Sequence, residues 1–316
     1  MLVALALAGL AIGPASAQQY PSKPIRIISP FAPGGGNDVI SRTIAAKLTE
    51  AFKQQVIVES RTGANGIVGT EVAARAAPDG HTIVLIPSGH TVNASLYKKL
   101  PYDSIRDFTP IALVASSPLL LVVHPTLPVK NVKELIWFSQ ARPGQLTFSS
   151  AGVGSSGHLA GALFDTLTGT KMVHVPYKGN SLALTDLLGG QVFLNFATAA
   201  SVMPHVRSGR LRALATTGAK RSPTLPDLPT VAEGGVPDYE TGLWYAFVGP
   251  AGIPPEIVQR LNTQMVAATS AADVRERFAG LGVDPRSSTP EELARLIVSD
   301  VKRWATVIKR TGIEPQ

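Results

Sequence analysis

The alternation of strand-length apolar runs with helical patterns constrains this chain more than any other feature. Runs at 25–29, 56–60, 82–87, 111–114, 119–123, 146–150, 171–175, 193–197 and 211–216 read as strands. The stretches 38–52, 66–76, 131–141, 157–168, 181–188 and 200–208 keep helical spacing between them. A strand covered by helices on both faces has no solvent side, so near-continuous apolar strands alternating with helices predict an α/β fold with mostly parallel sheets. No fixed-period repeat is present, which excludes a solenoid.

The last third changes character. A proline-rich connection at 223–237 leads into a strand-like GLWYAFVGP and then two helices. The first opens at Pro254-Pro255, with proline tolerated in the first turn. The second has Thr289 as N-cap, Pro290 at N1 and Glu292 at N3, a capping box. Its Leu293, Leu296, Ile297, Val301, Trp304 and Ile308 form a helical stripe, which is a core face.

With 316 residues, 45% of them hydrophobic, the chain suits one large domain or two modest ones. The opening MLVALALAGLAIGPASA runs apolar over 2–12, breaks at Gly13-Pro14 and offers small residues at Ala15 and Ala17. It reads as a cleaved signal peptide over 1–17, although no Lys or Arg precedes the apolar run; the other reading is a short buried helix. No later apolar stretch approaches the ~20 residues of a spanning helix, so export to the periplasm as a soluble protein is expected. The absence of cysteine excludes disulfides, thiol catalysis and cysteine-ligated metals. The net charge of +7 is scattered in pairs and only 6% of residues are aromatic, which argues against nucleic acid.

Two glycine-rich strand-to-helix corners carry the chemistry. PFAPGGGND at 30–38 follows the first strand, and SSAGVGSSGH at 149–158 follows the strand 146–150. Glycines let the backbone turn sharply, and a helix N-terminus offers unpaired amides with a partial positive charge, so each corner suits an anion. Ser150, Ser155 and Ser156 add hydroxyl donors. Asp38, in a first helical turn, reads as a dipole partner.

Gly152, Gly154 and Gly157 spell G-x-G-x-x-G, but the next strand ends in HVPYKG, with Tyr177 and Lys178 where a ribose-binding acid is required. There is no P-loop lysine motif and no G-x-S-x-G elbow, and the six histidines lack metal-ligand spacing. No catalytic constellation, metal site or cofactor is therefore expected. An exported hydrolase or reductase remains the alternative class.

The blocks PSKPIRIISPFAPGGGND, LYKKLPYDSIRDFTPIALVASSP, LTFSSAGVGSSGHLAG, VHVPYKGNSLALTDLLGGQV, SGRLRALATTGAKRSPTLPDLPTVAEGG and TPEELARLIVSDVKRWATVIK resemble the Bug family, the extracytoplasmic solute receptors of tripartite tricarboxylate transporters. The resemblance implies a two-lobed, flytrap-type periplasmic binding fold, type II-like. Lobe one would span 18–122 and 245–316 and lobe two 123–244, with the ligand in the cleft between them. It implies a monomeric, non-enzymatic receptor that hands a small organic acid to membrane permease subunits, or one that signals to a membrane sensor kinase. Phe31, Ala32, Gly35 and Gly36 would line one wall, and Ser150, Gly154 and Ser155 the other. Ser88, His90, Tyr177 and Asn195, each at or just after a strand's carboxyl end, complete the expected lining; for Ser88 and His90 a turn with a solvated histidine is the competing reading. The family usually has Asp where this chain has Phe193, a change that would make a deep pocket more apolar or would lie outside the cleft.

Overall fold

The computed structural model describes residues 20–311 with the exceptions of 32, 35, 178, 179, 224 and 281, and, for 181, 310 and 311, the backbone alone. The leader expected at 1–17 and the expected cleft residues Ala32 and Gly35 lie outside the described residues. In chain order the elements are β1 (Ile25–Ser29), α1 (Gly36–Phe52), β2 (Val56–Ser60), α2 (Ile67–Ala74), β3 (Thr82–Pro87), α3 (Gly89–Leu96) and β4 (Phe108–Val123). There follow α4 (Val132–Gln140), β5 (Thr147–Ser150), α5 (Ser156–Thr168), β6 (Val173–Pro176), α6 (Asn180–Leu188), β7 (Leu194–Thr198), α7 (Ala199–Arg207) and β8 (Arg212–Thr216). The chain closes with β9 (Gly242–Pro250), α8 (Pro255–Ser270), α9 (Ala272–Gly280), β10 (Asp284–Pro285) and α10 (Pro290–Thr311). Among the described residues no helix is long and apolar enough to cross a membrane.

The strands run in the order β2-β1-β3-β9-β4-β7-β5-β6, with β8 and β10 also paired to β4. Pairing is parallel from β1 to β2 and β3, and from β5 to β6 and β7. It is antiparallel wherever β4 or β9 takes part. The expected mostly parallel sheets are thus parallel only in their outer arms, and two antiparallel strands join them. The separate strands expected at 111–114 and 119–123 are one 16-residue strand, β4. Its first part pairs with β9 as far as Pro118 opposite Gly242, and from Leu119 onward it pairs with β7 and β8. One strand therefore serves two lobes.

Each lobe buries both faces of its sheet, which is why its strands read as unbroken apolar runs. In lobe one Ile25, Ile27, Ile83 and Leu85 face α1 and α8, while Ile28, Val84 and Ile86 face the opposite core with Leu293 and Ile297 of α10. In lobe two Leu119, Leu121 and Val123 enter the core with α5, and Leu120 and Val122 the core with α7. All five of these β4 side chains are at most 1% exposed, and a Leu or Val so enclosed contributes about 1.5–3 kcal/mol. The C-terminal helix crosses the lobe boundary. Its Trp304, Val307 and Ile308 join the second lobe's core together with Val92 and Leu96 of α3. The apolar stripe of α10 is long enough to be shared between two cores.

Thr217 fastens the crossing. Its amide donates to Leu119 O (2.9 Å), its Oγ1 accepts from Leu119 N (2.8 Å) and donates to Thr241 O (2.7 Å), and Thr241 N donates back to Thr217 O (2.9 Å). A Cβ at Gly242 would stand 3.1 Å from Ser117 O, so the two crossing strands leave little room for a side chain there. Thr217 is fully buried. Thr217→Val keeps the shape but strands the Leu119 amide and the Thr241 carbonyl without this partner. We expect it to lower the unfolding free energy by about 2–4 kcal/mol, read from urea denaturation.

Candidate functional site

The first corner leaves β1 at Ser29 and enters α1 at Gly36. Gly34 adopts φ +83°, open only to glycine at low cost, and its amide donates to Asp38 Oδ2 (3.0 Å). Arg42 Nε reaches the same carboxylate at 3.0 Å. Burial acts to raise the Asp38 pKa, but the bonds from Arg42 and Gly34 outweigh it and hold the carboxyl below its usual range. Asp38 is thus committed to fastening the turn. Asn37 locks the helix start to the sheet, accepting from Ser29 Oγ (2.9 Å) and donating to Leu85 O (3.0 Å). Phe31 lies against Gly66, where an added Cβ would stand 3.1 Å from its Cζ. That contact belongs to the loop 63–66, whose four residues all have positive φ, Ala64 and Asn65 included. Asn65 Nδ2 donates to Asn93 Oδ1 of α3 (3.0 Å), tying this loop to the next wall.

The second corner is built more heavily. Ser155 caps α5, its Oγ accepting from His158 N (3.4 Å), which leaves the hydroxyl proton free to donate outward. Gly154, at φ +76°, gives its amide to His158 Nδ1 (3.0 Å). His158 stacks on His174 with centroids 3.7 Å apart and planes 8° from parallel. His174 Nε2 lies 2.6 Å from Ser150 Oγ, which also accepts from Gly152 N (3.1 Å). Phe148 closes the stack at 4.9 Å from His174, and Gly161 leaves room for its ring under α5. Burial lowers both imidazole pKa values to about 4, that of His174 with help from His158. The corner therefore rests on two neutral rings.

The structure brings part of the expected lining together. Ser150, Gly154 and Ser155 lie at and just after the carboxyl end of β5, and Asn195, the second residue of β7, pairs with Ser149 beside them. Asn195 donates to Ser149 Oγ (2.8 Å) and brings Oδ1 near Gly157 at the start of α5. Phe31 and Gly36 lie at the end of β1. Ser88 follows β3 and is tied to the crossing strand, its amide donating to Trp244 O (2.9 Å) and its Oγ to Gly242 O (3.4 Å). Helix α3 touches the second corner, where a side chain at Gly154 would run into Leu96, and through Asn93 it also holds the loop that packs on Phe31.

Two expected residues turn elsewhere. The His90 ring lies between Tyr102, stacked at 5.7 Å, and Phe108, edge-on at 5.1 Å, with Nε2 bonded to Ser104 O (2.9 Å). It is a buried histidine, not a solvated one, and burial lowers its pKa to about 4. Tyr177 gives its hydroxyl to Asp186 Oδ2 of α6 (2.6 Å), and burial followed by that carboxylate pushes the phenol up to about 12. Phe193 lies where β7 begins, its amide bonded to Thr147 O (3.2 Å) at the far end of β5 from the corner. Its side chain is partly buried against the core of the second lobe.

Sequence reasoning did not single out Tyr245 of β9, whose Oη would stand 3.4 Å from a Cβ on Gly36. Its only signal was a polar tip inside an apolar run. A cavity of about 700 Å3 opens beside the crossing strands, lined by Lys220, Arg286 and Arg303 among others, but no corner residue borders it.

The three histidines set the acid stability. Each has a folded pKa of about 4, below the 6.5 of a free side chain. Below pH 6.5 the unfolded chain takes up protons that the folded protein refuses, so the histidines' contribution is full above 6.5, falls as pH drops toward 4 and levels off below, where carboxyls held below their usual range, Asp38 among them, begin to lose theirs. For the fully enclosed His90 the loss is about 3 kcal/mol. Urea unfolding is expected to give a free energy that declines between these limits, and a flat profile would contradict the neutral stack.

Comparison with known proteins places this geometry. The sequence profile of the tripartite tricarboxylate transporter family receptor, TctC, matches residues 40–313. BugT of Bordetella pertussis is 39% identical over 310 residues, covering 98% of this chain and 95% of BugT. An R. palustris protein solved with adipate is 36% identical, with a TM-score of 0.78 over 94% of this chain and 100% of that one. MatC from Rhodopseudomonas palustris, solved with bound malate, is 32% identical, with a TM-score of 0.73 over 92% of this chain and 100% of that one.

Proposed function

The chain belongs to the tripartite tricarboxylate transporter receptor family, and on that premise we propose that it captures a small organic carboxylate in the periplasm, di-, tricarboxylic or aromatic, and presents it to membrane permease subunits. The observation that carries this reading is the pair of glycine-bent corners, one in each lobe, each ending in a helix N-terminus. A carboxylate between them meets unpaired first-turn amides from both sides and the outward-donating hydroxyl of Ser155. Phe31 and Gly36 form the first wall, Gly154 and Ser155 the second, with Ser88 and Asn195 beneath and Ser150 bracing from behind. Binding both walls at once stabilises the closed arrangement of the lobes. The relatives solved with adipate and malate are of the same ligand chemistry.

Titration calorimetry over a panel of di-, tri- and aromatic carboxylates, adipate and malate included, is expected to find micromolar or tighter binding, about −8 kcal/mol or better, for at least one. Ser155→Glu sets a like charge at the anion site and is expected to abolish that binding. Its melting temperature should fall by no more than about 4 °C, the cost of one lost cap. A folded wild type that binds none of the panel, or a Ser155→Glu variant that keeps its affinity, overturns the reading.

A further inference from the structure

We infer that Tyr245, on the crossing strand β9, is a ligand-contact residue whose hydroxyl donates to the carboxylate received at the first corner; this rests on the cleft reading given above. The residue is only 8% exposed, and its hydroxyl makes no hydrogen bond to any described residue. The oxygen is not among the fully enclosed unpartnered atoms, so the tip of a mostly buried side chain stays open to a partner from outside the protein. Oη lies over Gly36, the first residue of α1, where the unpaired amides and the positive end of the helix also point. The donor and the helix end therefore converge on one spot, and an oxygen anion there answers both.

The placement is rigid. Tyr245 pairs with Pro87, the last residue of β3, on one side and with Ala115 of β4 on the other. That register sets it level with the carboxyl ends of β1 and β3, where sheets of this kind receive ligands. Its neighbour Trp244 points to the opposite face and is anchored there, Nε1 donating to Asp300 Oδ2 at 2.7 Å. Period-two alternation then fixes the face that Tyr245 takes. Burial holds the phenol up at about 12, so it stays protonated and a donor. Since β9 is one of the strands joining the lobes, the contact adds a third wall to the two corners.

Tyr245→Phe removes the hydroxyl alone. With no partner among the described residues to lose, the fold should keep its melting temperature within about 2 °C. Affinity for the tightest-binding member of the carboxylate panel should fall about ten- to a hundredfold, the scale of one hydrogen bond to a charged group. Affinity within about twofold of wild type overturns the assignment of Tyr245 and leaves the carboxylate reading standing, as does a loss of affinity matched by a large loss of stability. A wild type that binds no panel member removes both.

Discussion

Everything in this molecule depends on one strand being shared by two cores. β4 gives its first part to the sheet of lobe one and its last part to that of lobe two, and β9 runs beside it up to the point of exchange. The exchange comes at Pro118, which has no amide to give to a ladder, and Gly242, which has no side chain to hold the strands apart. Thr217 then satisfies the backbone groups that the change of partner would orphan. The parallel arms β1-β3 and β5-β7 lie on opposite sides of this junction in the strand order, and each is followed at its carboxyl end by one of the two glycine-rich corners.

The corners share an electrostatic character. Neither relies on a lysine or arginine among its described residues: Arg42 is committed to Asp38, and the second corner stands on two uncharged imidazoles. On the carboxylate reading proposed above, what an anion meets is a set of oriented dipoles, from amides, a capping hydroxyl and a phenol. Such donors are directional and fixed in place before the ligand arrives. A lone strong cation would attract any anion; this arrangement selects by geometry.

Much of the framework was legible because its causes are local. Fully buried strands announce themselves as apolar runs, and β1, β2, β3 and β9 occupy the residues expected of them. The corners were legible because only glycine-rich turns place a helix start at a strand end so abruptly. What escaped was set by tertiary context. The polar Ala115-Ser116-Ser117-Pro118 stretch looked like a break in β4, yet it is held by β9 and by β10. α3 begins at Gly89-His90-Thr91, a poor helix start by propensity, and is stabilised instead by Leu96 and Val92 packing into the second core. His90 read as a site residue because it follows a strand, but the chain cannot announce that Tyr102 and Phe108 enclose it. Tyr245 was invisible for the opposite reason: it lies in an apolar strand, and only the fold shows where its hydroxyl ends.

The contact between Gly154 and Leu96 has a bearing on how firmly the second corner is seated. Leu96 occupies the space that any side chain at 154 would claim, and it belongs to the core of the second lobe together with Phe148 and Leu159. The turn that carries Ser155 therefore lies directly on close-packed apolar side chains, and its shape is set by that packing.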